Sequence, residues 1–461
     1  MSEVSAGYRE LVDHNGRVYR VGETPEDVMG RSRALMVWLP WIAMMAVSPF
    51  EYSWGAAVAT LRSRNGWTLT ETFWIAGVWV IFQAGIAFPA GRLREKGILP
   101  ARTAMLVAAV LCGLGFFTIG QSGNLPLAFV GYSVLGGIGS GLVYATCINM
   151  VGKWYPERRG ARTGFVNGGF AYGAVPFIYL FSYVFTKSSY TLLLDLMGLY
   201  MIALIAICGW FFRDPPKNWW PAHVDPLDPA LGRKSARSLA KNPPAVRQFT
   251  PMEAIRTGML PLMWVCLVII GGVSLFGIGF QVPFAKASGF GAFVAAASAA
   301  VLAVINGTGR ALVGWLSDLL GRRPTLTLVL VIAGVAQFGV LYSGNTKNEW
   351  LFMIFAFING FATGAFYPMF AALVPDYFGE NDNASNYGLV YSAKLVGGVG
   401  GTGFAASLVV AWGYTGTYIL AGCVALLAAF LTLFLRQPGR ARHEEASEPP
   451  AVAVTEQMAG S

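Results

Sequence analysis

From residue 34 onward the chain is a succession of long apolar runs separated by short polar or charged turns. Twelve runs reach the length of about 20 helical residues needed to cross a hydrocarbon core of about 30 Å. They predict helices over residues 34 to 62, 71 to 91, 101 to 121, 126 to 152, 161 to 187, 190 to 212, 259 to 285, 290 to 316, 325 to 343, 349 to 375, 385 to 411 and 414 to 436. Helices are expected because lipid leaves no water to satisfy the backbone, and the runs are too long and too uniform for the alternating strands of a barrel. Residues 213 to 258 break the pattern with Pro215, Pro216, Pro221, Pro226, Pro229, Pro243 and Pro244, and show no apolar period. They read as a linker. The expected plan is an all-α membrane protein: a tail at 1–33, a six-helix bundle at 34–212, the linker at 213–258, a pseudo-symmetric six-helix bundle at 259–436 and a tail at 437–461.

Composition sharpens this picture. Of 461 residues, 55% are hydrophobic and 12% charged, against about 25% charged in ordinary soluble domains, so most of the surface must face a lipid bilayer. The net charge of +9 does not form a nucleic-acid face, because the basic residues sit in the turns between apolar runs. Sorted by loop, 26 lysines and arginines fall on one side and five (Arg62, Arg64, Lys187, Lys286, Lys347) on the other. That asymmetry places both termini in the cytoplasm of a plasma (inner) membrane. The first 33 residues carry acids as well as arginines and do not read as a cleavable signal. Cys112, Cys147, Cys208, Cys266 and Cys423 lie inside apolar runs without paired spacing, so neither disulfides nor metal is indicated. His14, His223 and His443 lie in the tails or the linker, and no phosphate-loop lysine follows the glycines at 397 to 403. An enzyme is not expected, and no cofactor is.

Two basic residues, Arg310 and Lys394, fall inside predicted helices. A charge at helix centre costs about 2.5 to 3.5 kcal/mol on insertion scales, so it normally faces a cavity and serves a function. Counted at 1.5 Å per residue, Arg310 lies about 9 Å and Lys394 about 14 Å from the cytoplasmic helix ends. With no acid from helices 7 to 12 beside them, an anion site is the economical reading; a structural ion pair or snorkelling side chains are the alternative. Tyr387, Tyr391 and Lys394 share one helical stripe, and Asn306 lies one turn from Arg310. Tyr144 and Tyr367 come out near the same depth, within about 14 Å of their cytoplasmic ends. Phenols of this kind can donate to carboxylate oxygens, or serve only as packing. Glu51, about 26 Å from the start of its helix, is expected in the outer half, above the two cations. Low dielectric favours a neutral carboxyl group, which makes Glu51 a candidate proton carrier, or else an acid hydrated at the outer mouth.

The run Gly314-Trp-Leu-Ser-Asp318-Leu-Leu-Gly321-Arg322-Arg323, with a degraded copy at Gly91-Arg-Leu-Arg-Glu95-Lys-Gly97, resembles the signature loop of the major facilitator superfamily. The resemblance implies a cytoplasmic gating loop in which Gly314 and Gly321 let helices meet while Asp318, Arg322 and Arg323 form a latch. Further segments are similar to the oxalate:formate antiporter branch and the related monocarboxylate transporters: Tyr52-Ser-Trp54, Lys153-Trp-Tyr-Pro-Glu-Arg-Arg-Gly160 running into Gly164-Phe165, Asn306-Gly-x-x-Arg310, and Asn386-Tyr387-Gly388 leading to Ala393-Lys394. By that resemblance Arg310 and Lys394 match a basic pair that holds the substrate, and Tyr52, Tyr144, Tyr367 and Tyr391 match its aromatic cage. Three positions depart from the oxalate carrier's pattern, with Glu51 in place of glutamine, Phe170 in place of a cage tyrosine and Thr363 in place of a cage tryptophan. Two cations and one ionised acid sum to +1, which suits a monocarboxylate or a proton-coupled cycle, and the lost tryptophan makes room for a larger acid. The expected function is secondary transport of a small organic anion by a monomer, through alternating access, as antiporter or proton symporter. An exporter of another organic ion or drug is the competing expectation, and a ligand-binding sensor a third.

Overall fold

The computed structural model describes residues 8–12, 18–224, 241–243, 245–379 and 382–440. Much of the linker and nearly all of the carboxyl tail expected at 437–461 lie outside the described residues. Among the described residues eleven helical stretches are long and apolar enough to cross a membrane. The first ten are Leu35–Tyr52, Leu69–Arg94, Ala101–Gln121, Leu125–Trp154, Ala161–Tyr183, Tyr190–Trp210, Met259–Ala287, Ala292–Leu320, Arg322–Asn345 and Glu349–Phe378. The last, Ser385–Thr432, has 48 residues, about 72 Å of helix at 1.5 Å per residue, more than twice a hydrocarbon core. Gly413 divides it at φ 69° and ψ 176°, a conformation open in practice to glycine alone. The stretch therefore makes two crossings, and the chain twelve. Each six packs within itself, the third helix on the sixth in the first bundle and the eighth on the tenth in the second.

The first crossing is interrupted where its polar residues lie. It runs as Leu35–Val47, Pro49–Tyr52 and Trp54–Asn65, with Ser48 and Ser53 at the breaks. Pro49 cannot donate to the preceding turn, which ends the first piece. The polar groups around the break find partners in neighbouring helices. Tyr132 donates to the Phe50 carbonyl at 2.9 Å, and Ser48 donates to the Ala171 carbonyl at 3.3 Å. A single turn carrying Glu51 and Tyr52 is thus fixed at the boundary between the bundles.

The bundles touch on the side away from the linker. A Cβ added to Gly55 would overlap the Gly279 carbonyl, and Phe73 stacks on Phe280 at 3.9 Å between centroids. The fifth and eighth helices meet at Gly168 and Gly307, where a Cβ on Gly307 would lie 2.8 Å from the Gly168 carbonyl. Nearer the linker on the same helix faces, a Cβ on Gly164, one turn from Gly168, or on Gly314, two turns from Gly307, would meet nothing within 4 Å. Close backbone approach across the seam is thus found on the far side and at Gly168 and Gly307, and not at these two glycines on the linker side.

The linker side holds structure that the hydrophobic pattern does not predict. Arg9–Val12 and Val18–Val21 form a two-stranded antiparallel hairpin inside the amino segment expected as a tail. Arg20 donates its amide to the Asn218 carbonyl at 2.8 Å, and the Trp220 amide donates to the Arg20 carbonyl at 2.8 Å. Trp219 packs edge-on against Trp154 at 5.0 Å. Strands of four residues are too short to produce a readable alternation. The far end of the linker is laced to the second bundle: the Asn242 side chain bonds Ser317 and Arg322, and Phe249 pairs with the Phe378 carbonyl at 2.9 Å.

The signature-loop residues sit at the linker-side ends of the eighth to tenth helices. Gly321 has φ 102° and ends the eighth helix. Arg322 pairs with Asp318 at 2.7 Å and Asp376 at 3.3 Å, while Arg323 donates to the Leu435 carbonyl at 3.2 Å. These links lie within the second bundle. In the degraded copy Arg94 bonds the Thr146 carbonyl at 3.1 Å within the first bundle and Asp214, at the start of the linker, at 2.7 Å.

Candidate functional site

Where the bundles meet, two polar networks cross the seam. The first centres on Arg310, in the eighth helix. Its guanidinium donates to Asn167 Oδ1 at 2.7 Å, to the Asn167 carbonyl at 3.5 Å, to Asn306 Oδ1 at 3.0 Å and to the Tyr52 hydroxyl at 3.3 Å. Tyr52 donates in turn to Asn306 Oδ1 at 2.9 Å, and Tyr144 to Asn167 Oδ1 at 3.2 Å. All four acceptors are neutral, and Arg310 Nε is buried without a partner among the described residues. The guanidinium makes no ion pair among the described residues and feels the Glu51 carboxylate only at longer range, a condition that favours an incoming anion.

The second network centres on Lys394, in the eleventh helix. Its Nζ lies 3.1 Å from Glu51 Oε2 and donates to Gln83 Oε1 at 3.1 Å. Both members of the ion pair are buried, with side-chain exposures of 4% for Lys394 and 8% for Glu51. This corrects the depth count, which set Glu51 above the cations and left Lys394 without an acid. Glu51 lies sixteen residues into Leu35–Val47 and its continuation, and Lys394 eleven residues past Asn383. The difference is about 8 Å of rise. A lysine stem covers most of that distance, and counting along axes ignores both side-chain reach and helix tilt.

Aromatic rings fill the space between the networks. Phe170 stands edge-on to Tyr52 at 5.9 Å and to Tyr144 at 5.6 Å, and Lys394 Nζ lies 5.9 Å from its centroid. Opposite, Tyr391 packs against Tyr367 at 5.9 Å and Tyr387 at 5.8 Å. Thr363 is buried, with its hydroxyl donated back to the Asn359 carbonyl at 2.6 Å, so it adds no free donor here. The structure thus brings Arg310, Asn306, Tyr52 and Tyr144 into one network. It puts Lys394 and Glu51 into another, with Tyr367 and Tyr391 on a common wall. Gly314, Asp318, Gly321, Arg322 and Arg323 lie apart, at the linker-side helix ends.

Two members escaped sequence reasoning. Asn167 and Gln83 are uncharged, so neither stands out by hydropathy as the two cations do. The available signal was an amide inside an apolar run, which carries little weight because such groups often bond within the helix bundle.

Comparison with known proteins places this architecture. The family model described as Major Facilitator Superfamily matches residues 37–351 and 312–459. The chain is 23% identical over 396 residues to the oxalate:formate antiporter of Oxalobacter formigenes, covering 86% of this chain and 89% of that protein. It is 24% identical over 382 residues to monocarboxylate transporter 11 of Mus musculus, covering 78% of each. A solved POT family transporter in complex with 5-aminolevulinic acid has a TM-score of 0.66 at 15% identity, covering 88% of this chain and 96% of that one, which speaks to the fold alone. With the family model spanning most of its length and twelve crossings in two bundles of six, the chain belongs to the major facilitator superfamily and is a membrane transporter rather than an enzyme.

Proposed function

We propose that the protein is a secondary carrier of small carboxylates that works by alternating access. The observation that carries this reading is Arg310, a buried guanidinium with neutral acceptors only, at the seam between the bundles, where it bonds Asn167 of the fifth helix. A carboxylate there would accept from the guanidinium in a fork geometry that lysine cannot offer. Lys394 adds a point charge, Asn306, Tyr52, Tyr144, Tyr367 and Tyr391 shape and donate into the cage, and Glu51 is the candidate proton carrier. The similarity to the oxalate:formate antiporter and to monocarboxylate transporter 11 supports the substrate class.

Because Arg310 belongs to the second bundle while Tyr52 and Asn167 belong to the first, an anion on Arg310 acts on contacts that exist only while the bundles are together. That is the differential free energy a conformational switch requires. The excess of basic residues on the linker side supports cytoplasmic termini in a plasma (inner) membrane, and Asp318, Arg322 and Arg323 then form a cytoplasmic gating loop. The domain plan is a six-helix bundle at 34–212 and another at 259–436, joined by the linker. A site complete within one chain supports a monomer. Antiport and proton symport both fit, the second through Glu51.

A thermal-shift panel of small carboxylates and cationic dyes on purified protein tests the substrate class. A ligand at a hundred times its Kd stabilises by about 2.7 kcal/mol. Carboxylates are expected to raise the Tm of the wild type and not of Arg310→Ala, with dyes inert on both. Stabilisation by dyes and none by carboxylates would instead support an exporter of other organic ions.

A further inference from the structure

The geometry points to Glu51 as the residue that sets the valence of the cargo: its ion pair with Lys394 restricts the site to monoanions. This inference rests on the carboxylate reading of the site and adds a division of labour between the two cations. Lys394 is already neutralised. It spends two of its three donors on Glu51 Oε2 and Gln83 Oε1, both at 3.1 Å, inside a pair that is almost wholly buried. Arg310 is not neutralised, since its acceptors are Asn167, Asn306 and Tyr52, and its Nε has no partner.

The charge of the empty site is therefore +1, and it resides on Arg310. A monocarboxylate brings the total to zero. A dicarboxylate leaves a net −1 among buried aromatic rings, or must expel Glu51 from Lys394 and leave that acid unpaired. Either outcome strands a charge at low dielectric, where an unpaired ion is far more costly than in water. Glutamine at position 51 would keep the side-chain volume and an oxygen for Lys394 while removing only the charge, leaving a site of +2 that a dianion neutralises. Glu51 thus selects by charge count and need not touch the cargo.

The test is calorimetric titration of the purified full chain at one fixed pH, with propionate and lactate as monoanions and malonate and succinate as dianions. The wild type is expected to bind the monoanions more tightly. In Glu51→Gln the ratio of dicarboxylate to monocarboxylate affinity should rise at least tenfold. The double variant Glu51→Gln/Lys394→Met removes both members of the pair and restores +1; losing Lys394 should weaken binding of all four acids, but the ratio of dicarboxylate to monocarboxylate affinity should fall back toward the wild-type value. This variant also covers the case in which Glu51→Gln alone misfolds around an unpaired lysine. A ratio unmoved in Glu51→Gln, or a double variant that prefers dianions, overturns the inference while leaving the carboxylate reading intact. Failure of the wild type to bind any of the four acids overturns both.

Discussion

At the scale of the residue, the two buried cations differ in kind: Arg310 faces neutral dipoles and Lys394 faces an acid. The groups around Glu51 come from several helices: its ion-pair partner Lys394 from the eleventh and Gln83, bonded to that lysine, from the second, with Arg310 of the eighth, Tyr132 of the fourth and Tyr367 of the tenth within electrostatic range but not in direct contact with it, and Tyr52 beside it in the first. No other carboxylate appears among these groups. In the proposed proton-coupled cycle Glu51 would take up the proton, releasing the Lys394 ammonium and so linking proton entry to anion entry. In proteoliposomes with an inward proton gradient, acidifying the outside should accelerate carboxylate uptake by the wild type. Glu51→Gln should lose that acceleration yet still exchange internal for external carboxylate; persistence of the gradient effect in the variant would move the proton site elsewhere. Arg310 and Lys394 were legible as charges in apolar runs. The Glu51 pairing was not, because a count of residues along one helix carries no information on how far a side chain leans toward another.

At the scale of the element, breaks in helices place the chemistry. Pro49 confines Glu51 and Tyr52 to one turn between Ser48 and Ser53, and Gly413 folds one 48-residue stretch into two crossings. Both residues are visible in the sequence, and Gly413 falls in the gap between the helices predicted over 385 to 411 and 414 to 436. The amino hairpin was not predicted: its strands are short, and their partner is Asn218 and Trp220, nearly two hundred residues away. Closure on the far side depends on backbone approach at Gly55 and Gly279. Gly55→Leu should hold these helices apart and shift the carrier toward the state open on that side. A cysteine placed at Gly314 would then react more slowly with a membrane-impermeant maleimide applied from the linker side, by about tenfold for a shift of 1.4 kcal/mol. Unchanged labelling would show that the Gly55 contact does not control closure.

At the scale of the whole molecule, hydropathy was enough to read twelve crossings and two halves, because lipid imposes that pattern on every segment alike. What hydropathy leaves out is the pairing of side chains across the seam, such as Asn167 with Arg310 and Gln83 with Lys394, which exists only once both bundles are assembled. The central claim is that this seam binds and moves a small carboxylate. Counterflow tests it most directly: proteoliposomes preloaded with an unlabelled carboxylate that the binding panel selects, diluted into a trace of the same acid carrying a radiolabel. The account predicts a transient accumulation of label by the wild type, absent in Arg310→Ala and in Lys394→Ala although both variants fold and insert. Accumulation retained in both variants would contradict it.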